Sequence, residues 1–263
     1  MTKIKVLEKV KLKNPVLIEG LPGIGNIGRV AVSYLIEELK AKKFAELYSR
    51  HFFPFVMLKN DFQIHLLKNE FYYWKAKEKN QRDLIFLVGD SQSLSPEGHY
   101  EICENILDFV KNLGTKEIFT VGGLGKGELI DEPRVIGAAT DDESFEKYKN
   151  YDINFEAEKN VGYIAGAAGL LLGIGKEKGM KGICLLGETS GFPIVTDPKA
   201  AEAVLNVLVK ILNVKIDMTK LKEKVKEMEK FIKKAEDLQR EALMNLMKRT
   251  KKPIKDEQLR YIG

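Results

Sequence analysis

The sequence predicts a three-layer α/β sandwich, and three observations carry that expectation. Short apolar, β-branched runs alternate with longer segments of helical periodicity through residues 1–216, as in a sheet covered by helices on both faces. Ser95-Pro96 and Asp197-Pro198 each place a capping side chain before a proline at the first helical position. Val16-Leu17-Ile18-Glu19-Gly20-Leu21-Pro22-Gly23-Ile24-Gly25-Asn26-Ile27-Gly28 drives a strand into a helix through a glycine-dense turn.

In chain order, Ile4–Leu12 alternates apolar residues with lysine, the pattern of a strand with one exposed face. Strand-like runs follow at Val16–Ile18, Phe44–Tyr48, Phe55–Leu58, Phe62–Leu67, Phe71–Trp74, Leu84–Val88, Ile118–Val121, Val135–Ala138 and Ile183–Leu186. Those between 44 and 75 form an inserted meander of shorter strands. Helical patterns occupy Gly28–Leu39, Pro96–Leu113, Val161–Gly175 and Pro198–Leu212, with Gly114 closing the second. From Asp217 the pattern changes. Met218, Leu221, Val225, Met228, Ile232 and Ala235 follow alternating steps of three and four, a heptad seam on a helix of about 50 Å if it runs to Arg249. The seam needs a partner, either the chain's own body or a second copy. Residues 250–263 read as a mobile tail. The expected organisation is therefore a body (1–216), an oligomer-supporting helix (217–249) and a tail (250–263).

Composition narrows the function classes. A chain of 263 residues with 44% hydrophobic content can bury roughly 70–75% of its unfolded surface without a disulfide or metal. Cys103 and Cys184 lie among apolar neighbours and form no C-x-x-C, so buried free thiols and a reducing, cytoplasmic setting are expected. Met1–Lys13 lacks the pattern of a secretory signal, and Val161–Gly175 is shorter than the roughly 18–20 residues of a membrane span. No membrane association is expected. The net charge of +5 lies entirely in residues 217–263, which hold 14 basic and 9 acidic side chains. Those acids are interleaved with the lysines and no aromatic platform accompanies them, so nucleic acid is not an expected partner.

Each candidate chemical motif meets a physical objection. Gly23, Gly25 and Gly28 have the G-x-G-x-x-G spacing of a dinucleotide loop. The acidic residue that should follow at the end of the next strand is Glu46, which lies inside its strand, and Pro22 stiffens the turn. The simpler reading of Gly20, Pro22, Gly23, Gly25 and Gly28 is a tight turn with close helix–sheet packing. Gly122-Gly123-Leu124-Gly125-Lys126-Gly127 is too short for a phosphate-binding loop and lacks its hydroxyl residue. Gly89-Asp90-Ser91 resembles a nucleophile block, but no histidine follows residue 99 to act as base. Gly187-Glu188-Thr189-Ser190-Gly191 misses the G-x-S-x-G elbow by one position. The histidines show no metal-ligand spacing, and Asp131-Glu132 and Asp141-Asp142-Glu143 read as solvated loops. No catalytic residue, metal or cofactor is expected.

Taken together, Gly20–Gly28, the Gly122-Gly123 turn, Leu186-Gly187-Glu188-Thr189-Ser190-Gly191 and Asp197-Pro198-Lys199-Ala200-Ala201 leading into Val204-Leu205 resemble the archaeal members of the proteasome assembly chaperone family. The resemblance spans residues 16–212 and implies a phosphorylase-like α/β fold without the phosphorylase's catalytic groups. It also implies a non-enzymatic role: self-association, and docking onto proteasome α subunits. Docking members of the family often end in hydrophobic–Tyr–any residue. This chain reads Leu259-Arg260-Tyr261-Ile262-Gly263, with its tyrosine third from last and Arg260 before it. In such a tail a terminal carboxylate pairs with a pocket lysine while Tyr261 buries its ring. Several tails on one oligomer would gain avidity.

The expected function is thus a proteasome assembly chaperone or adaptor, forming a homo-oligomer or pairing with a paralogue. Two other readings stay open: a nucleotide- or small-molecule-dependent enzyme using the glycine turns, and a scaffold that binds only a paralogue.

Overall fold

Runs without polar alternation, such as Val16–Gly20 and Leu84–Gly89, are buried at every position, as strands covered on both faces must be. The computed structural model describes residues 1–58, 62–128, 130–156, 162–191, 196–223 and 225–226. In chain order the elements are β1 (Thr2–Val6), β2 (Val16–Gly20), a 3-10 turn (Ile24–Asn26), α1 (Ile27–Leu39), β3 (Lys42–Ser49), β4 (Val56–Leu58), β5 (Ile64–Leu66) and β6 (Asn69–Trp74). Then come β7 (Leu84–Gly89), α2 (Pro96–Asn112), β8 (Glu117–Gly125), β9 (Val135–Ala139), α3 (Asp142–Tyr148), α4 (Ala167–Glu177), β10 (Lys181–Thr189) and α5 (Pro198–Leu212).

The main sheet has eight strands in the order β1-β3-β6-β7-β2-β8-β10-β9. Its centre, β7-β2-β8-β10, is parallel, and the strands on either side pair antiparallel. Strand alternation sorts the core into two layers. Ile18, Phe86, Phe119 and Leu185 belong to one cluster with Ala31 and Leu35 of α1 and Val204 and Leu208 of α5. Leu17, Ile85, Ile118 and Leu186 belong to the other, with Ile106 and Val110 of α2 and Leu171 of α4. Three layers result, as the alternation of elements implies.

The helix boundaries follow capping chemistry. Ser95 Oγ accepts from the Gly98 N–H at 3.1 Å and Asp197 Oδ1 from the Ala200 N–H at 2.9 Å, each ahead of a proline. Three expectations need correction. The strand expected over Ile4–Leu12 stops at Val6, because the Leu7 and Glu8 N–H groups both donate to the Phe44 carbonyl and end the ladder as a bulge does. The helix expected from Val161 starts at Ala167, since Gly166 takes φ +75°, outside the helical region. Asp141-Asp142-Glu143 is not a solvated loop: Asp141 Oδ1 accepts from the Ser144 N–H at 2.8 Å and caps α3, whose first turn carries the other two acids. Within the expected meander, β3 and β6 join the main sheet, and β4 and β5 form a separate two-stranded hairpin.

The chain divides into two units, Met1–Leu221 and Lys222–Gly263. In the first, Leu221 enters the core and Met218 packs against it, while Tyr34 Oη donates to the Asp217 carbonyl at 2.7 Å. The seam thus begins on the chain's own body. In the second, Lys222, Glu223, Val225 and Lys226 are described; all are helical and Val225 is buried. Met228, Ile232 and Ala235 of the seam, and Leu259, Arg260, Tyr261, Ile262 and Gly263 of the tail, lie outside the described residues. Among the described residues no helix is long and apolar enough to cross a membrane.

Candidate functional site

The carboxyl ends of β2, β8 and β10 meet at the glycine turn, the edge where open α/β sheets usually hold ligands. Most of the turn is filled by the protein itself. A Cβ on Gly28 would lie 2.3 Å from the Val121 carbonyl oxygen, and one on Gly20 only 2.2 Å from the Gly28 carbonyl oxygen. These two glycines therefore let α1 rest directly on the backbones of β2 and β8. Gly25 takes φ +61°, and its carbonyl accepts from the Asp197 N–H at 2.8 Å, tying the turn to the start of α5. The Gly23 carbonyl accepts from the Asn26 N–H at 2.9 Å. Pro22 is held through its carbonyl, which accepts from Gln92 Nε2 at 2.7 Å. Gln92 Oε1 in turn accepts from the Ala167 N–H at 2.9 Å, so one amide joins the turn to α4.

Beside this turn lies a crevice of about 580 Å³, lined among others by Glu19, Gly23, Gln92, His99, Gly122 and Tyr163. Glu19 is 1% exposed. Its Oε1 accepts from the Leu21 N–H at 2.8 Å, and its Oε2 has no hydrogen-bond partner among the described residues. Burial pushes its carboxyl up to about 7, against the pull of backbone N–H donors. Burial likewise lowers the His99 imidazole. Among the described residues neither group is hydrogen-bonded to a nucleophile.

Several other reactive side chains are engaged elsewhere. Ser91 Oγ donates to the Gln92 carbonyl at 2.7 Å. His65 Nε2 lies 2.6 Å from Asp90 Oδ2, and His51 Nε2 lies 3.1 Å from Glu101 Oε2. Glu188, at the end of β10, is buried and held by Arg134 through Nη2–Oε1 at 2.7 Å and Nε–Oε2 at 2.8 Å. That fork lowers its carboxyl below the usual range and fastens the Gly187–Gly191 segment to the lead into β9. Cys103 and Cys184 are free and buried, and burial pushes both thiols up to about 12. Among the described residues no three His, Cys, Asp or Glu side chains are grouped to hold a metal.

Two features went unread in the sequence. Glu19 is a buried acid, signalled by the one charged residue in the apolar run Val16–Gly20. The β4–β5 hairpin exposes apolar side chains, which the strand-like runs of the sequence do not signal.

With this geometry in hand, comparison with known proteins decides the family. The family model described as "PAC2 family" matches residues 17–236. The chain belongs to the PAC2 family. Its fold is that of PbaB, an archaeal proteasome activator from Pyrococcus furiosus, whose crystal structure superposes with TM-score 0.84 at 48% identity, covering 89% of this chain and 98% of that one. A crystal structure of PbaA from the same organism, an archaeal homolog of proteasome-assembly chaperone, gives TM-score 0.71 at 25% identity over 92% and 99% of the two chains. Two uncharacterized proteins of Methanocaldococcus jannaschii are 41% and 28% identical to this chain, over 98% and 94% of its length and 96% of each of theirs.

Proposed function

We propose that this PAC2-family chain is a non-enzymatic proteasome assembly chaperone or adaptor that self-associates and docks on proteasome α-subunit rings through its C-terminal tails. The likeness to PbaB, at 48% identity over nearly the whole of both chains, carries this reading. The chemistry agrees with it. Gly28, the third glycine a nucleotide loop would use, is packed against backbone, and Glu188 of the hydrolase-like segment is committed to Arg134.

In this reading Met218, Leu221, Val225, Met228, Ile232 and Ala235 start on the body and continue as a seam between copies. Leu259, Arg260, Tyr261, Ile262 and Gly263 enter pockets of the ring, Tyr261 burying its ring and the terminal carboxylate meeting a lysine. Two relatives within one organism support pairing with a paralogue as a second arrangement.

The test is capture of α-subunit rings by the full chain and by a chain ending at Gln258. Loss of capture on truncation supports the tail as the docking element. Equal capture by both removes the tail from the account, and no capture by either removes the proteasome.

A further inference from the structure

We infer that the β4–β5 hairpin is a homotypic interface, its apolar outer face covered by the same hairpin of a second copy of this chain. The register pairs Val56 with Leu66, Met57 with His65 and Leu58 with Ile64. Because side chains alternate along a strand, Val56, Leu58, Ile64 and Leu66 share one face and Met57 and His65 the other. His65 points to the body, where it meets Asp90 at 2.6 Å, and the flanking Phe52 and Leu67 are buried. The hairpin is therefore rooted, and its other face is turned outward.

That outward face is apolar where a solvated sheet face should be polar. Leu58 is 74% exposed and Ile64 72%, with Val56 and Leu66 exposed beside them. Phe62, of the same parity as Ile64 and Leu66, is 92% exposed beside them. These five side chains offer on the order of 600 Å² of accessible area, against the roughly 800 Å² that each partner contributes to a standard interface. A patch this large lies at the upper end of what soluble monomers leave in water, where such patches are often functional, and a two-stranded hairpin standing alone is marginal at best.

Charge selects the occupant. A two-fold contact brings the residues next to its axis against their own copies, so a charge there would oppose its like. No described residue of 52–58 or 62–64 is charged, and such depletion with high apolar content marks the cores of homodimer interfaces. A partner met only transiently would leave this face bare in the free protein; a second copy covers it permanently.

The inference rests on the self-association proposed above, and the experiment separates the two. Sedimentation masses are compared for the full chain, for Leu58→Lys with Ile64→Lys, and for Met228→Lys with Ile232→Lys in the seam, with circular dichroism as the folding control. The expected result is an oligomeric wild type and a hairpin variant whose mass falls at least twofold with its fold retained. A hairpin variant of wild-type mass overturns the inference while leaving self-association through the seam. A monomeric wild type overturns both. A hairpin variant that keeps its mass but no longer captures α rings assigns the face to the ring and overturns the homotypic contact. Independently of any destabilisation, full chain carrying Leu58→Cys is treated with a short bis-maleimide; cross-linked dimers are expected, and their absence counts against the contact.

Discussion

Replacing Gly28 with alanine adds one methyl group where α1 meets the sheet. In an open helical position the change would stabilise the chain by up to about 1 kcal/mol through helix propensity. Here the new carbon would sit 2.3 Å from the Val121 carbonyl oxygen and 3.2 Å from Gly20 Cα, against a usual C···O contact of about 3.3–3.6 Å. Both neighbours are backbone, so relief requires α1 to lift by about 1 Å at its first turn, loosening Ile27, Ala31, Val32 and Leu35, all of them fully buried. Overpacking of this kind costs typically about 1–3 kcal/mol. The expected net effect of Gly28→Ala is a loss of about 1–3 kcal/mol, read from urea unfolding at fixed protomer concentration. Gly173→Ala is the matched control: it lies exposed in α4 with nothing within 4 Å of an added Cβ, and should gain roughly 0.5–1 kcal/mol. A Gly28→Ala protein as stable as wild type, or more so, would refute the packing role assigned to this glycine.

Three further outcomes follow from named groups. The folded pKa of Glu19 is raised from 4.5 to about 7, so between those values the folded chain holds a proton that the unfolded chain has lost. Stability therefore falls as pH rises through that window, by at most on the order of 3 kcal/mol; Glu19→Gln should flatten this slope in unfolding measured at pH 5 and pH 8, and an unchanged slope would contradict it. Arg134→Ala leaves the buried Glu188 without its fork and should cost about 2–4 kcal/mol in chemical unfolding, whereas a cost below about 0.5 kcal/mol would show the pair to be incidental. The thiols of Cys103 and Cys184, buried and raised to about 12, should resist a thiol reagent in the native protein and react fully in denaturant.

How much of this was legible in the sequence follows from which forces are local. Proline at the first helical position with Ser95 or Asp197 before it marks a helix start without tertiary information, and α2 and α5 begin at Pro96 and Pro198. The doubly covered strands were legible because burial on both faces demands a nearly continuous apolar run, broken in β2 only by Glu19. The short helix α3 was not, since Asp141 reads alike as a cap or as a solvated acid until its donor at Ser144 is known. The strand-like runs at Phe55–Leu58 and Phe62–Leu67 contain β4 and β5, but nothing local says that Val56, Leu58, Ile64 and Leu66 face out of the body. At the glycine turn the spacing of Gly23, Gly25 and Gly28 suggested a phosphate cradle. The filling of that space at Gly28 depends on Val121, some ninety residues away.

The most direct measurement is native mass spectrometry of the full chain mixed with assembled proteasome α rings. The account requires a species whose mass is one ring plus a whole oligomer of this chain, lost when residues 259–263 are removed. Free rings beside free protein across a titration to excess would contradict it.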